Sequence, residues 1–168
     1  MSALRINSVL HMDVRGFLGN WLPLFLWVGV IYVGSTDLTS PQQTSRFLVL
    51  FLRWLRPDIT ADSIAQIQFF VRKVAHLTEY LILAVLLWRA LIRGTHFQMQ
   101  ISILFIMVLF VCTIFAASDE FHQSFVSSRT ASANDVMIDM CGALVGLAIC
   151  WIVAGRRASR QARIASGK

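Results

Sequence analysis

The sequence predicts an all-α membrane protein: a polytopic helical bundle of four transmembrane helices with a short interfacial helix, forming a single domain over residues 1–168. Three observations predict it. Hydrophobic residues make up 57% of the chain and charged residues 14%, against ~25% charged in soluble domains. The mean hydropathy is +0.66, far too apolar for a soluble core and surface together. The charges are also segregated from four long apolar runs instead of being spread among them.

The first run, about residues 17–36, has no charge and carries Trp21, Phe25, Leu26, Trp27 and Ile31. It meets the need for about 20 apolar residues across the hydrocarbon core. Arg15 before it, and Val33-Gly34-Ser35 near its end, give it some likeness to a signal peptide. It is long for such an h-region, so a retained helix is the preferred reading. Residues 43–56 follow, with Phe47, Leu48, Leu50, Phe51, Leu52, Trp54 and Leu55 interrupted by Arg53 and ended by Pro57. That segment is too short to span and predicts a helix lying on the membrane surface, either a plain anchor or a lid over a polar site.

The second span, 74–92, contains His76, Glu79 and Arg89. The third, 98–118, is uncharged and rich in Ile, Leu, Phe and Val, and the fourth, 136–155, contains Asp139. Cys112, Cys141 and Cys150 all fall inside apolar runs, so buried packing is expected and a disulfide framework is not.

A net charge of +6 and a pI near 10.0 would suit a nucleic-acid partner. The excess, however, flanks apolar segments, where it encodes topology, so no nucleic acid is expected. With both termini cytoplasmic, the inner regions hold Arg5, Arg15, Arg89, Arg93, Arg156, Arg157, Arg160, Arg163 and Lys168. The outer regions hold Arg46, Arg53, Arg56, Arg72, Lys73 and Arg129, so the positive-inside rule favours this orientation. The basic tail would also sit well against anionic lipid heads. Four crossings then bring Asp37, Lys73, His76, Glu79, Asp119, Glu120, His122, Gln123, Arg129, Asp135 and Asp139 to the outer side, leaving Asp13 as the inner acid.

Helical spacing tightens this group. Lys73, His76 and Tyr80 stand at i, i+3 and i+7 on one face, flanked by Glu79. Asp135, Asp139, Gly142 and Gly146 line one stripe, the glycines permitting close approach of a neighbouring helix. If the third helix continues past Ser118, then Asp119, His122, Gln123 and Val126 share a face too. None of these faces tolerates lipid, so they are expected to converge inside the bundle. His76, Glu79, Asp119, Glu120 and His122 are the candidate catalytic acids and bases. Lys73, Tyr80, Gln123, Arg129, Asp135 and Asp139 are the candidate binding residues, Arg129 offering a planar fork for phosphate or carboxylate. Against each stands a plain role: Arg72 and Lys73 snorkelling, Glu79 or Asp135 pairing with a cation, and Asp119–Gln123 ending a helix in water. Several of these side chains are competent metal ligands, but no recognised ligand spacing is present and no metal or other cofactor is assigned.

In order along the chain, Lys73-x-x-His76-x-x-Glu79-Tyr80, then Asp119-Glu120-Phe121-His122-Gln123-Ser124-Phe125-Val126, then Arg129, Asp135, Gly142 and Gly146, resemble the VanZ-like family. The resemblance runs from the second span to the end of the fourth. Three departures stand out: Gly34-Ser35-Thr36-Asp37 in place of a serine-rich end to helix one, Ser127-Ser128 in place of Pro-Gly, and Asp139 in place of a common Asn. The resemblance implies a small bacterial inner-membrane protein and, through the family's namesake, a link to resistance to the glycopeptide teicoplanin. It narrows the fold far more than the function.

Three function classes therefore stand open. One is an enzyme acting on a lipid-linked or phospholipid substrate, with Arg129 and Lys73 on an anionic head group. In it His76 or His122 serves as base, and Glu79, Asp119 or Glu120 as acid or orienter. The second is a non-catalytic subunit of a membrane-protein complex, whose polar cluster fixes the fold. The third is a small lipid or proton-linked transporter. The first is favoured, because a group so rich in acids and bases exceeds what packing needs.

Overall fold

The computed structural model describes residues 14–36, 41–95, 100–125 and 132–166. These form five helices: α1 (Val14–Gly34), α2 (Pro41–Leu55), α3 (Ala61–Gly94), α4 (Ile101–Gln123) and α5 (Ala133–Ala165). Among the described residues there is no strand. α1, α3, α4 and α5 are each long and apolar enough to cross a membrane. The all-α, four-span architecture expected from the sequence is therefore the observed one, and α2 occupies the amphipathic segment between the first two spans.

Two helices outrun their expected spans. α3 begins at Ala61 instead of near residue 74, and its 34 residues extend roughly 51 Å. Its start is set by Thr60, whose hydroxyl accepts the backbone N–H of Ser63 at 3.3 Å and caps the helix. Asp62 in the first turn adds a favourable charge at the helix N-terminus. α5 continues to Ala165, with the exposed Arg156, Arg157, Arg160 and Arg163 on its last turns.

α3 and α5 form the centre. A methyl group built on Gly142 would collide with the carbonyl oxygen of Leu77, and one on Gly146 would lie 2.6 Å from that of Leu81. The two backbones touch where side chains are missing, the small-residue contact that bilayer-spanning helices use in place of a hydrophobic driving force. Around this seam Tyr80, Leu83, Ala84, Val108, Cys112, Ala143 and Leu147 are buried. α1 leans on α3 through two polar ties: Trp27 Nε1–H donates to the Glu79 carbonyl at 2.9 Å, and Arg89 donates to the Gly19 carbonyl at 3.1 Å. The antiparallel pairing this requires brings the end of α1 beside the polar half of α3. Of the cysteines, Cys112 is buried as expected, but Cys141 is exposed, because it sits on the side of α5 opposite its glycine stripe.

Candidate functional site

The polar faces meet at one end of the bundle. Lys73 of α3 is ion-paired and hydrogen-bonded to Asp135 of α5. One turn further along, His76 Nδ1 lies 3.1 Å from Asp139 Oδ1, and both residues are buried. One turn beyond that, Tyr80 is wholly buried. The i, i+3, i+7 face of α3 thus meets the i, i+4 acids of α5 directly above the Gly142–Leu77 contact.

α4 contributes its C-terminal turn, which stays helical through Gln123. Asp119 accepts the hydroxyl of Ser35, at the end of α1, and the Gln123 amide at 2.9 Å. Glu120 accepts the backbone N–H of Ser132 through Oε2 at 2.7 Å, which ties the end of α4 to the start of α5. Ligand-type atoms of His76, Glu120 and Asp139, one from each of three helices, all lie within 4.8 Å of one another. Among the described residues, Glu120 Oε1, Asp139 Oδ2, the Tyr80 hydroxyl and His122 Nδ1 are buried without a hydrogen-bond partner. Such groups are costly unless something satisfies them.

His122 stands apart from the His76–Asp139 pair. Its ring lies against Tyr32 of α1, with centroids 5.0 Å apart. Asp119 also reaches α1, through Ser35 one turn from Tyr32, so the face that periodicity assigns to Asp119 and His122 meets α1. Arg129 lies outside the described residues.

Beside this layer is a cavity of about 920 Å³ bounded by α1, α2, α3 and the end of α4. Leu26, Gly29, Val30 and Val33 of α1, Leu48 of α2 and Phe69 of α3 give it an apolar wall. Arg72, His76 and Glu79 of α3, with Gln123 of α4 and Ser35, give it a polar one. Leu26, Val30 and Phe69 remain 62%, 51% and 51% exposed, so the cavity is open along its flank.

Sequence reasoning missed Ser35 as a partner of Asp119 and assigned Arg72 to the interface only. The signal for Ser35 was its place beside Asp37 at the polar end of the first span. For Arg72 the signal was its spacing from His76 and Glu79, at i+4 and i+7.

The order of these residues along the chain is also what a family comparison detects. The family model described as VanZ/LLP1 matches residues 20–154, from within α1 to near the apolar end of α5. The chain belongs to the VanZ/LLP1 family. No curated protein and no solved structure matches it. The family match includes most of α1, beyond the stretch that carried the resemblance by motif. Lys73, His76, Glu79, Asp119, Glu120, His122 and Asp135 all lie within the matched residues of this multi-pass membrane protein.

Proposed function

We infer that this VanZ-like protein binds an anionic, lipid-anchored head group at the outer face of the bacterial inner membrane and acts on it there. The cavity carries this reading. It is large enough for part of a lipid, open on the flank that faces acyl chains, apolar on the α1 side and polar on the α3 side. An amphipathic ligand fits such a two-sided groove: the chain lies along Leu26, Val30 and Phe69, and the phosphate meets Arg72 beside His76 and Glu79.

Lys73 serves here through Asp135, holding α3 and α5 in register, while Arg72 supplies the cationic contact at the cavity. His76 and Glu79 are the acid–base candidates nearest the bound head group, since both line the cavity. The orientation follows the basic tail: Arg156, Arg157, Arg160 and Arg163 draw that end of α5 to the cytoplasm, which puts the polar layer outside.

The test uses native mass spectrometry of the detergent-solubilised protein with phosphatidylglycerol and, as the neutral comparison, phosphatidylcholine. Preferential retention of the anionic lipid, reduced at least about tenfold in Arg72→Ala with the fold intact, supports the reading. Equal retention of both lipids by wild type and variant contradicts it.

A further inference from the structure

We propose that His76, Glu120 and Asp139 form a binding site for one divalent transition-metal ion, with zinc the best-suited occupant. The three side chains come from α3, α4 and α5, so no local ligand spacing in the sequence announces them. Their ligand-type atoms lie within 4.8 Å of one another, and all three residues are buried. His76 Nδ1 and Asp139 Oδ1 are 3.1 Å apart. The imidazole and the carboxylate therefore already face one another at close range.

Two further observations point to a cation. Asp139 is 0% exposed and Glu120 6%, and each keeps one carboxylate oxygen, Oδ2 and Oε1, without a hydrogen-bond partner among the described residues. The opposite oxygen of Glu120 is held by the Ser132 N–H, which aims the free one as outer hydrogen bonds aim metal ligands.

Charge makes the same case. Two buried carboxylates face one imidazole, and the neighbouring Lys73 is committed to Asp135. A divalent ion neutralises both carboxylates and leaves the imidazole neutral, the protonation state in which it ligates. Three protein ligands with a fourth position left for water or substrate is also the coordination number of a catalytic zinc site. His76 lines the cavity as well, so a bound ion would sit at its polar wall. The site stands on burial and geometry alone and does not depend on which ligand enters the cavity; with an ion bound, His76 is a ligand and Glu79 remains the acid–base group at the polar wall.

The experiment counts metal in the full-length protein after removal of any affinity tag. The protein is stripped with EDTA, re-equilibrated with Zn²⁺, and analysed by inductively coupled plasma mass spectrometry. Wild type is expected to hold about one zinc per chain, and Co²⁺ to give the intense visible bands of a four-coordinate site. Glu120→Gln and Asp139→Asn keep side-chain volume and are expected to weaken zinc binding at least about 100-fold, whereas His122→Ala keeps it. Wild type that takes up no more zinc than the Glu120→Gln/Asp139→Asn double variant overturns the site. So does loss of zinc from His122→Ala, or six-coordinate Co²⁺ spectra. Should the double variant fail to fold, wild-type stoichiometry and the Co²⁺ spectrum decide the matter by themselves.

Discussion

Two glycine-bearing helix faces in this protein have opposite surroundings. On α5, Gly142 and Gly146 lie against the backbone of α3 at Leu77 and Leu81, and the polar residues just above them are locked in pairs. On α1, Gly29 has nothing within 4 Å of where a methyl group would be, and it lines an open cavity instead. The same residue type closes one interface and keeps another open. One half of the bundle is therefore a rigid frame, in which each buried charge depends on its partner, and the other half leaves space that a ligand can fill. Stability and function should separate along this line.

The largest expected effect follows from Gly142→Leu, whose side chain must displace the Leu77 backbone. Overpacking of this kind costs roughly 1–3 kcal/mol even where neighbours are flexible, and more against a main chain. The expected outcome is loss of folded protein, read as a collapse of monodisperse material in size-exclusion chromatography. A well-folded Gly142→Leu protein would show that α3 and α5 do not meet as described.

Next comes the ion pair. Lys73→Met leaves Asp135 buried and unpaired, and removing one member of a buried pair costs about 3–5 kcal/mol. The Lys73 side chain is still 17% exposed, so the lower end of that range is expected. Thermal unfolding in detergent should show a large drop, and Lys73→Met/Asp135→Leu should recover much of it. Absence of recovery would mean that the pair is not the reason for the loss.

A smaller effect is expected from Ser35→Ala, which removes one hydrogen bond to the buried Asp119 while Gln123 continues to donate to it. About 1 kcal/mol is appropriate, because Asp119 is left only partly satisfied. The smallest effect belongs to the open face. Gly29→Ala meets no neighbour and replaces glycine in a helix interior, which by itself stabilises by roughly 0.5–1 kcal/mol. Unchanged or slightly raised thermal stability is expected, and destabilisation would mean that α1 packs more closely than the cavity implies.

The frame was legible in the sequence to a degree that the cavity was not. Uninterrupted apolar length marks α1 and α4, and the short amphipathic stretch interrupted by Arg53 marks α2 at Pro41–Leu55, close to the expected 43–56. Lys73, His76 and Tyr80 share a face by helical period, as do Asp135, Asp139 and the two glycines, so their meeting follows from spacing plus the cost of charge in lipid. The early start of α3 was hidden because Asp62, Gln66, Gln68, Arg72 and Lys73 dilute its first turns below the hydropathy of a span. The cap that begins it is a single residue, Thr60. The cavity left no trace because Leu26, Val30 and Phe69 have the composition of any lipid-facing surface. Only the gap between helices distinguishes them.

The neighbour of His122 was hidden for a related reason. Periodicity assigns a face but not the neighbour on its flank, and here that neighbour is Tyr32. The His76–Glu120–Asp139 group lay beyond local reading because its members belong to three helices and span more than sixty positions.

The most direct test of the account is to ask where a lipid sits. The protein is reconstituted with a diazirine-labelled anionic phospholipid, irradiated, digested and mapped by mass spectrometry. Enriched labelling is expected in α1 around Leu26–Val33 and in α3 around Phe69, well above the equally apolar and exposed Ile106 and Phe110 of α4. The enrichment should fall in Gly29→Trp, whose side chain intrudes into the cavity at its apolar wall. Uniform labelling of all exposed apolar positions, unchanged by Gly29→Trp, would contradict it.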